Sequence, residues 1–514
     1  MNTTYYFWLA GFVTLGGAAI AAHIRKAPQR MQVTHAYLLF AFVFVVIFGY
    51  KSFELRRDSN LAVAQIENVT LKLKFTTSMI AVSHAFAPDS KKNSDLEKNV
   101  KKSLESSLSE LEKIKQKSES KDSSDQDQEL ELDTKIIIVK AEQKLPVKDD
   151  IEAMSSKDPE RAHLLKAVLQ DKAVAKADIA SLQPQIETKI PNGWYSEVFD
   201  LEWTKALGDK KKHKQELESF YERHFFYAMR MMAFFVVLAL ATLVGLITVI
   251  AQLFMLGRNS SRENDDINDH VTWSWQAVAA TLLTWLSITF LSSPILKGLS
   301  VSAVHGKASA LALALSTMGL YLLQNLPALA LVYFLAIKPG GIKLGSKEFQ
   351  EAFCINWKTK KRGPFGLIFM GFLTWASCFP FVILSAWAAS GFGSQMSSNP
   401  IISEVVSSVK NIDLFAIFAF TLTLGVMPAL LEELLFRGFV YTSLRKYLGA
   451  FIGIILSAGL FSIVHMDQGS MLQLFSLGFV FAYAVEKNQS LIPSMVAHCL
   501  WNLTAFTMIL LMYA

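Results

Sequence analysis

Long apolar runs dominate the second half of the chain and restrict what it can fold into. An α-helix needs about 20 apolar residues to cross the hydrocarbon core of a bilayer, and it satisfies its own backbone hydrogen bonds there. Two further runs, residues 5–22 and 36–50, lie at the N-terminal end. The pattern predicts an all-α polytopic membrane protein with about ten transmembrane helices. The runs of the second half lie near residues 231–256, 272–292, 309–337, 365–390, 412–444, 450–466, 470–485 and 491–512.

Charged residues are concentrated between the second and third apolar runs. Over the whole chain of 514 residues, 52% are hydrophobic and 18% are charged, against roughly 25% charged in soluble globular domains. Residues 51–225, in contrast, are rich in Lys, Glu, Ser and Asp, and they contain no catalytic motif. We interpret this segment as a soluble, mainly helical insertion, partly of low complexity, that positions or recognises something.

Local patterns predict the elements of the insertion. Residues 89–133 are of low complexity, with leucines at helical spacing, which predicts an amphipathic helix followed by a disordered stretch. The sequence TKIIIV at residues 134–139 predicts one strand. Residues 147–182 and 202–223 are predicted to be helical.

The basic loops predict which side of the membrane each segment faces. Residues 23–30 and the loop 338–362 are both rich in Lys and Arg, which places them in the cytoplasm and the insertion on the outer side. The net charge of +6 fits such loops, and no basic motif with interleaved aromatic residues indicates a nucleic-acid partner. The chain divides into two N-terminal transmembrane helices (1–50), the soluble insertion (51–225), transmembrane helices with a basic cytoplasmic loop (226–364) and a C-terminal helical domain (365–514).

Three charged residues lie inside one of the most apolar segments, where an uncompensated charge costs at least several kcal/mol. Residues 428–446 read PALLEELLFRGFVYTSLRK. Glu433 and Arg437 are four residues apart and share one helical face, whereas Glu432 is turned roughly 100° away. We expect the Glu433–Arg437 pair to stay ionised and to orient its neighbours, while Glu432 has no such partner on its helix.

Later apolar runs contribute two histidines and an asparagine. The sequence FSIVH ends at His465, and HCLWN places His498 and Asn502 on one helical face. Glu432, His465 and His498 lie at overlapping depths if their helices tilt, so the side chains can meet. Glu432 then serves as the base that activates a water, His465 shares that water, and His498 and Asn502 donate hydrogen bonds to the developing oxyanion.

The motifs EExxxR, FxxxH and HxxxN, in this order on successive apolar segments, resemble the CPBP family of CAAX-protease and bacteriocin-processing intramembrane proteases, also called the Abi family. All three are matched without departure, and the resemblance covers roughly residues 365–514. It implies an intramembrane endopeptidase of the CAAX prenyl protease type that cuts a membrane-associated or prenylated protein or peptide. It also implies that the Glu432 and His465 pair activates water and that His498 and Asn502 stabilise the oxyanion.

Two alternatives remain open at this stage. The first is a zinc metalloprotease with Glu432, His465 and His498 as ligands, although no HExxH motif occurs and the family resemblance implies a metal-independent reaction without cofactors. The second is a non-catalytic, Abi-like bacteriocin-immunity or membrane scaffold protein. In either case we expect a multi-pass protein of a bacterial inner membrane, since no eukaryotic targeting signal is evident.

Overall fold

The structure is a computed structural model, and its described residues are helical wherever they form regular secondary structure. Among these residues there is no β-strand, which confirms the all-α prediction. The N-terminal apolar run 5–22 and the loop 392–413 lie outside the described part of the chain. The structure describes residues 30–86, 93–119, 126–175, 178–256, 271–304, 309–391, 414–465, 467 and 469–513.

The chain forms two compact units. One consists of Ala62–Phe235, which we call the insert unit, and the other contains the described residues up to Leu61 and from Val236 onward, which we call the apolar unit. Two long helices, α1 (Arg30–Phe86) and α8 (Lys210–Leu256), contribute residues to both units. The apolar run 36–50 is therefore part of a 57-residue helix that continues well beyond the predicted N-terminal segment 1–50.

The insert unit is a helical domain with its own hydrophobic core. Besides parts of α1 and α8, its helices are α2 (Asn93–Glu119), α3 (Gln126–Glu142), α4 (Lys148–Ser155), α5 (Pro159–Leu165), α6 (Ile179–Lys189) and α7 (Trp194–Ala206). Leu104, Leu108 and Leu111 of α2 are buried in this core, which confirms the predicted amphipathic helix. The disorder predicted up to residue 133 is wrong for residues 126–133, because they begin α3.

The predicted strand at residues 134–139 is wrong, because these residues belong to α3. Ile136, Ile137, Ile138 and Val139 are all buried in the core of the insert unit. A short run that is apolar on every side carries no periodicity, so its sequence cannot distinguish a buried strand from a buried helical turn. The neighbouring helical sequence decides the outcome.

The apolar unit contains most of the helices that can cross a membrane. Six helices of the described residues are long and apolar enough, and two shorter apolar helices are Thr34–Ile47 and Ala450–Val464. This is fewer than the predicted ten or so, partly because the run 470–485 belongs to a helix that is not among the candidate spans. The candidate spans are Lys210–Phe254, Trp275–Ser292, Leu311–Ile337, Pro364–Ser390, Leu414–Leu448 and Ile492–Met512.

The span Leu414–Leu448 is continuous in sequence but changes its helical geometry along its length, and we call it the glutamate helix. Its parts are α12 (Leu414–Phe420), a π-helix (Thr421–Val426), α13 (Met427–Glu433), a second π-helix (Leu434–Tyr441) and α14 (Thr442–Leu448). The remaining helices are α9 (Trp275–Val304), α10 (Ala310–Val332) with a π-helical end (Tyr333–Ile337), α11 (Lys347–Ala352), α15 (Pro364–Gly391), α16 (Ala450–Val464), α17 (Met471–Asn488) and α18 (Ile492–Tyr513).

Small residues bring the C-terminal helices close together. A Cβ atom at Gly478 of α17 would lie 2.9 Å from the Cα of Ala458 in α16, closer than real Cβ contacts allow. At the contact between α15 and α18, a Cβ at Gly371 would lie 2.5 Å from the Val496 side chain. Glycine at these two positions therefore permits the close helix packing that surrounds the polar residues of the domain.

Polar contacts fix the helix ends near the basic loop. Arg445 at the end of the glutamate helix binds Glu486 of α17 through Nε at 2.7 Å and Nη2 at 3.1 Å. The backbone N–H of Leu491, just before α18, donates to the carbonyl of Cys354 at 2.7 Å. The basic loop is thus held against the turn that starts α18, the helix that carries His498.

Candidate active site

The glutamate helix carries Glu432 and Glu433 between two π-helical stretches, whose turns are wider than those of an α-helix. Pro428 lies at the start of α13 and lacks the N–H that would bond the carbonyl of Leu424, and a π-helix precedes it at Thr421–Val426. A second π-helix, Leu434–Tyr441, begins directly after Glu433. Such wide turns are rare in proteins and frequently occur at functional sites. They set the directions in which Glu432 and Glu433 leave the helix.

Glu433 and Arg437 form the ion pair that their spacing predicts. Arg437 Nη1 donates to Glu433 Oε1 at 2.8 Å, and both side chains are 0% exposed. Arg437 Nη2 donates to the carbonyl of Gly478 at 3.3 Å, and the guanidinium lies over the rings of Phe461 and Phe481, at 4.3 and 5.3 Å from their centroids. The buried cation is therefore compensated by a carboxylate, a carbonyl and two aromatic faces.

Glu433 also accepts hydrogen bonds from α18. His498 Nδ1 lies 2.8 Å from Glu433 Oε1, and the Ser494 hydroxyl donates to Glu433 Oε2. With Arg437, His498 and Ser494 bound to it, this carboxylate is occupied by the protein itself. Glu433 therefore has the arrangement of an orienting group and not that of a base facing water.

The contact with Glu433 determines the protonation of the His498 ring. A carboxylate that is paired with a guanidinium accepts hydrogen bonds, so the hydrogen of this contact is carried by His498 Nδ1. The opposite nitrogen, Nε2, has no hydrogen-bond partner among the residues that the structure describes. Nε2 can therefore accept a proton when the ring is neutral and donate one when it is charged.

His465 is held in a similar way by a backbone carbonyl. It directly follows α16, and its Nδ1 lies 2.6 Å from the carbonyl oxygen of Phe461. A carbonyl only accepts hydrogen bonds, so Nδ1 carries the hydrogen and Nε2 is the basic nitrogen. Within the described residues this Nε2 has no partner, and the side chain is half-buried.

The phenyl ring of Phe461 gathers three of the predicted residues around itself. The guanidinium of Arg437 lies 4.3 Å from its centroid, the His465 ring 4.7 Å and the His498 ring 6.0 Å. These residues come from the glutamate helix, the end of α16 and α18. The structure therefore brings together side chains that are separated by whole helices in the sequence.

Glu432 has a partner that the sequence analysis did not name. The Tyr321 hydroxyl of α10 donates to Glu432 Oε1 at 3.1 Å, and both side chains are half-buried. Among the described residues Glu432 has no ion-pair partner, but it has a hydrogen-bond donor in Tyr321. The only sequence signal was a cluster of polar residues, Tyr321, Gln324 and Asn325, within an apolar run.

Asn502 follows His498 by one turn of α18 and is half-buried. Its carboxamide makes no hydrogen bond within the described part of the chain, so its donors are available to a ligand. No three His, Cys, Asp or Glu side chains of the described residues lie close enough to share a metal ion.

Residues 414–504 match the model of a protein family described as type II CAAX prenyl endopeptidase Rce1-like. The matched segment contains the glutamate helix, His465, His498 and Asn502, and it is consistent with the CPBP resemblance. It covers a minor part of the chain and does not include Tyr321. No curated protein and no solved structure matches the chain. The candidate spans and the family match together identify an integral membrane protein.

Proposed function

We propose that the Rce1-like domain at residues 414–504 is an intramembrane endopeptidase that hydrolyses a peptide bond with an activated water. The observation that carries this proposal is the arrangement around Phe461, where the His465 and His498 rings lie at 4.7 and 6.0 Å on side chains from different helices. Glu432 adjoins the buried Glu433 that binds His498. Ionisable groups at such a depth are costly, and catalysis accounts for their presence.

Glu432 and His465 are the groups that activate the water. Tyr321 occupies Glu432 Oε1, and Oε2 has no partner among the described residues, so this oxygen can accept a proton from water. His465 presents a basic Nε2 because its Nδ1 is bound to the Phe461 carbonyl. Two acceptors of this kind bind both hydrogens of one water and direct its oxygen to the scissile carbonyl.

His498 and Asn502 act on the opposite side of the reaction. When His498 is protonated, Glu433 stabilises the charged ring and Nε2 donates to the oxyanion that forms as water attacks. The Asn502 carboxamide adds a neutral donor one helical turn away. The proton that Glu432 takes from water then passes to the leaving amine as the C–N bond breaks, so the reaction yields a new carboxylate and a new amine.

The substrate class follows from the family match and from the location of the site. A prenylated or membrane-embedded peptide reaches a site in a bilayer because its apolar part partitions into the lipid. We propose such a substrate, without a metal or another cofactor, and a bacterial inner membrane as the location. Zinc remains the minority alternative, with Glu432, His465 and His498 as the residues that would hold it.

The test is peptide hydrolysis by the purified full-length protein in liposomes. A farnesylated peptide that ends in a CAAX sequence serves as the probe, with its unprenylated form alongside, and mass spectrometry detects the released tripeptide. We expect cleavage by the wild type and a loss of at least a hundredfold in Glu432→Gln, His465→Ala and His498→Ala. Glu348→Gln and His163→Ala, which change exposed residues outside the matched segment, serve as controls.

Two results would contradict the proposal. Cleavage that persists in Glu432→Gln at the wild-type rate would remove Glu432 from the mechanism. The second result is a folded wild-type protein that cleaves neither peptide, together with a Glu432→Gln variant that has the same effect in cells as the wild type. This result would favour the non-catalytic Abi-like immunity or scaffold function.

A further inference from the structure

Helix α10 lies outside the segment that matches the protease family, yet it contributes a polar group to the site. Tyr321 of this helix donates its hydroxyl hydrogen to Glu432 Oε1 at 3.1 Å across 111 residues of sequence. The contact is made to Oε1 of Glu432, and Oε2 of the same carboxylate has no partner among the described residues. A side chain from outside the matched segment therefore restricts the orientation of the proposed base.

Apolar contacts hold α10 against the glutamate helix on both sides of Tyr321. Before Tyr321, Ala314 shares a buried cluster with Phe420 of α12. After it, Ala328 and Val332 share a second buried cluster with Phe436, which follows Glu432 by one turn. The stretch of α10 that carries Tyr321 is thus held against the glutamate helix on both sides of the phenol.

Polar contacts within the membrane segments further restrict this part of α10. Gln324 Nε2 donates to the Ser292 hydroxyl of α9 at 2.7 Å, which links the two helices one turn away from Tyr321. Asn325 Nδ2 donates to the backbone carbonyl of Tyr321 itself at 2.8 Å. Both the backbone and the helix that carry the phenol are therefore anchored.

We propose that Tyr321 is a positioning residue that holds the Glu432 carboxylate with Oε1 bound and Oε2 turned to the attacking water. The proposal rests on the proposed hydrolytic function, because it assigns Glu432 the role of the base. A free carboxylate rotates about its last side-chain bond, and a misplacement of about 1 Å lowers catalysis by as much as a hundredfold. The family-matched segment alone does not contain this restraint.

The test compares two conservative substitutions on the same membrane segment. Tyr321→Phe removes only the hydroxyl, and Tyr333→Phe removes the hydroxyl of a half-buried tyrosine that has no contact with Glu432. We measure kcat, KM and the melting temperature of the full-length protein in liposomes with the farnesylated peptide. We expect kcat of Tyr321→Phe to fall about tenfold to a hundredfold, as for loss of one hydrogen bond to a charged group, with KM unchanged within about twofold. Tyr333→Phe should match the wild type.

A shortened carboxylate separates positioning from simple packing. Glu432→Asp moves the carboxylate away from Tyr321, so Tyr321→Phe should cause a smaller additional loss in this background than in the wild type. Wild-type kcat in Tyr321→Phe would overturn the proposal. So would a loss of kcat on Tyr321→Phe that is the same in the wild-type and Glu432→Asp backgrounds. An equal loss of kcat in Tyr333→Phe would overturn it as well. Full activity in Glu432→Gln would instead overturn the proposed function.

Discussion

His498 Nδ1 and Glu433 Oε1 are 2.8 Å apart at a site where Glu433 is 0% and His498 4% exposed. The contact links the glutamate helix to α18 and leaves Nε2 as the ring nitrogen that does not bind Glu433. Because Arg437 binds the same carboxylate oxygen, the three residues form one buried network of charged and polar groups. We expect its disruption to lower stability as well as the proposed activity, which would distinguish Glu433 from its neighbour Glu432.

The adjacent glutamates should separate structure from catalysis. Glu433→Gln leaves the fully buried Arg437 without its carboxylate, and removal of one partner of a buried ion pair costs about 3–5 kcal/mol. We expect a clear drop in the melting temperature of Glu433→Gln in detergent and little change in Glu432→Gln, whose side chain is half-buried. Equal stability of the two variants would argue against the network as an element that holds the domain together.

Close packing at Gly478 should be required for the position of Arg437. A Cβ there would lie 2.9 Å from Ala458 Cα, and the Gly478 carbonyl accepts a hydrogen bond from Arg437. We expect Gly478→Ala to destabilise the protein by about 1–3 kcal/mol, as overpacking does, and to lower peptide hydrolysis. Gly459→Ala is the matched control, because a Cβ at Gly459 meets nothing within 4 Å. A neutral effect of Gly478→Ala would show that α16 and α17 tolerate a wider separation.

Chelators should leave hydrolysis unchanged. Glu433 is occupied by protein donors, and the described residues bring no three potential metal ligands together. We expect the same cleavage rate of the farnesylated peptide before and after dialysis against 1,10-phenanthroline. Loss of activity that zinc restores would establish the metalloprotease alternative with Glu432, His465 and His498 as ligands.

The insert unit should become less stable as the pH rises from about 4 to about 6. Burial, together with the carboxylates of Glu216 and Glu197, raises the pKa of Asp200 to about 6, whereas the unfolded value is about 4. Between about pH 4 and pH 6 the Asp200 carboxyl keeps its proton in the folded state but has lost it in the unfolded state. The stability of the folded state therefore falls through this window and stays at the lower value above it.

Asp200→Asn should remove this dependence. We expect stronger hydrogen-exchange protection of α7 peptides in the variant at pH 7.5, and no difference near pH 4, where the wild-type carboxyl is neutral as well. Asp171→Asn, which changes an exposed carboxylate, should leave the hydrogen-exchange protection of α7 peptides unchanged at both pH values. A difference that is the same at both pH values would exclude Asp200 ionisation as its cause.

The site was predictable from the sequence where its contacts are local. The Glu433–Arg437 pair follows from a spacing of four residues, and the order of the three polar motifs indicates which helices must converge. The contacts of Glu433 with His498 and of Glu432 with Tyr321 span 65 and 111 residues. They depend on how the helices pack, and side-chain periodicity contains no such information.

The errors in the fold have the same origin. The isoleucines at 136–138 are buried on all sides, so local pattern could not assign them to a helix. The run at 470–485 is apolar, but α17 extends to Asn488 and binds Arg445 through Glu486, which gives it a role in the packing of the domain. Six candidate spans among the described residues do not confirm the predicted count of about ten.

The most direct measurement is a comparison of membrane peptides in cells that carry either the wild-type protein or the Glu432→Gln variant. Quantitative mass spectrometry of peptide C-termini should show uncut, prenylated or membrane-embedded substrates accumulating in the variant and their shortened products in the wild type. If both cell types contain the same membrane peptides while the two proteins are present in equal amounts, hydrolysis at Glu432 is contradicted.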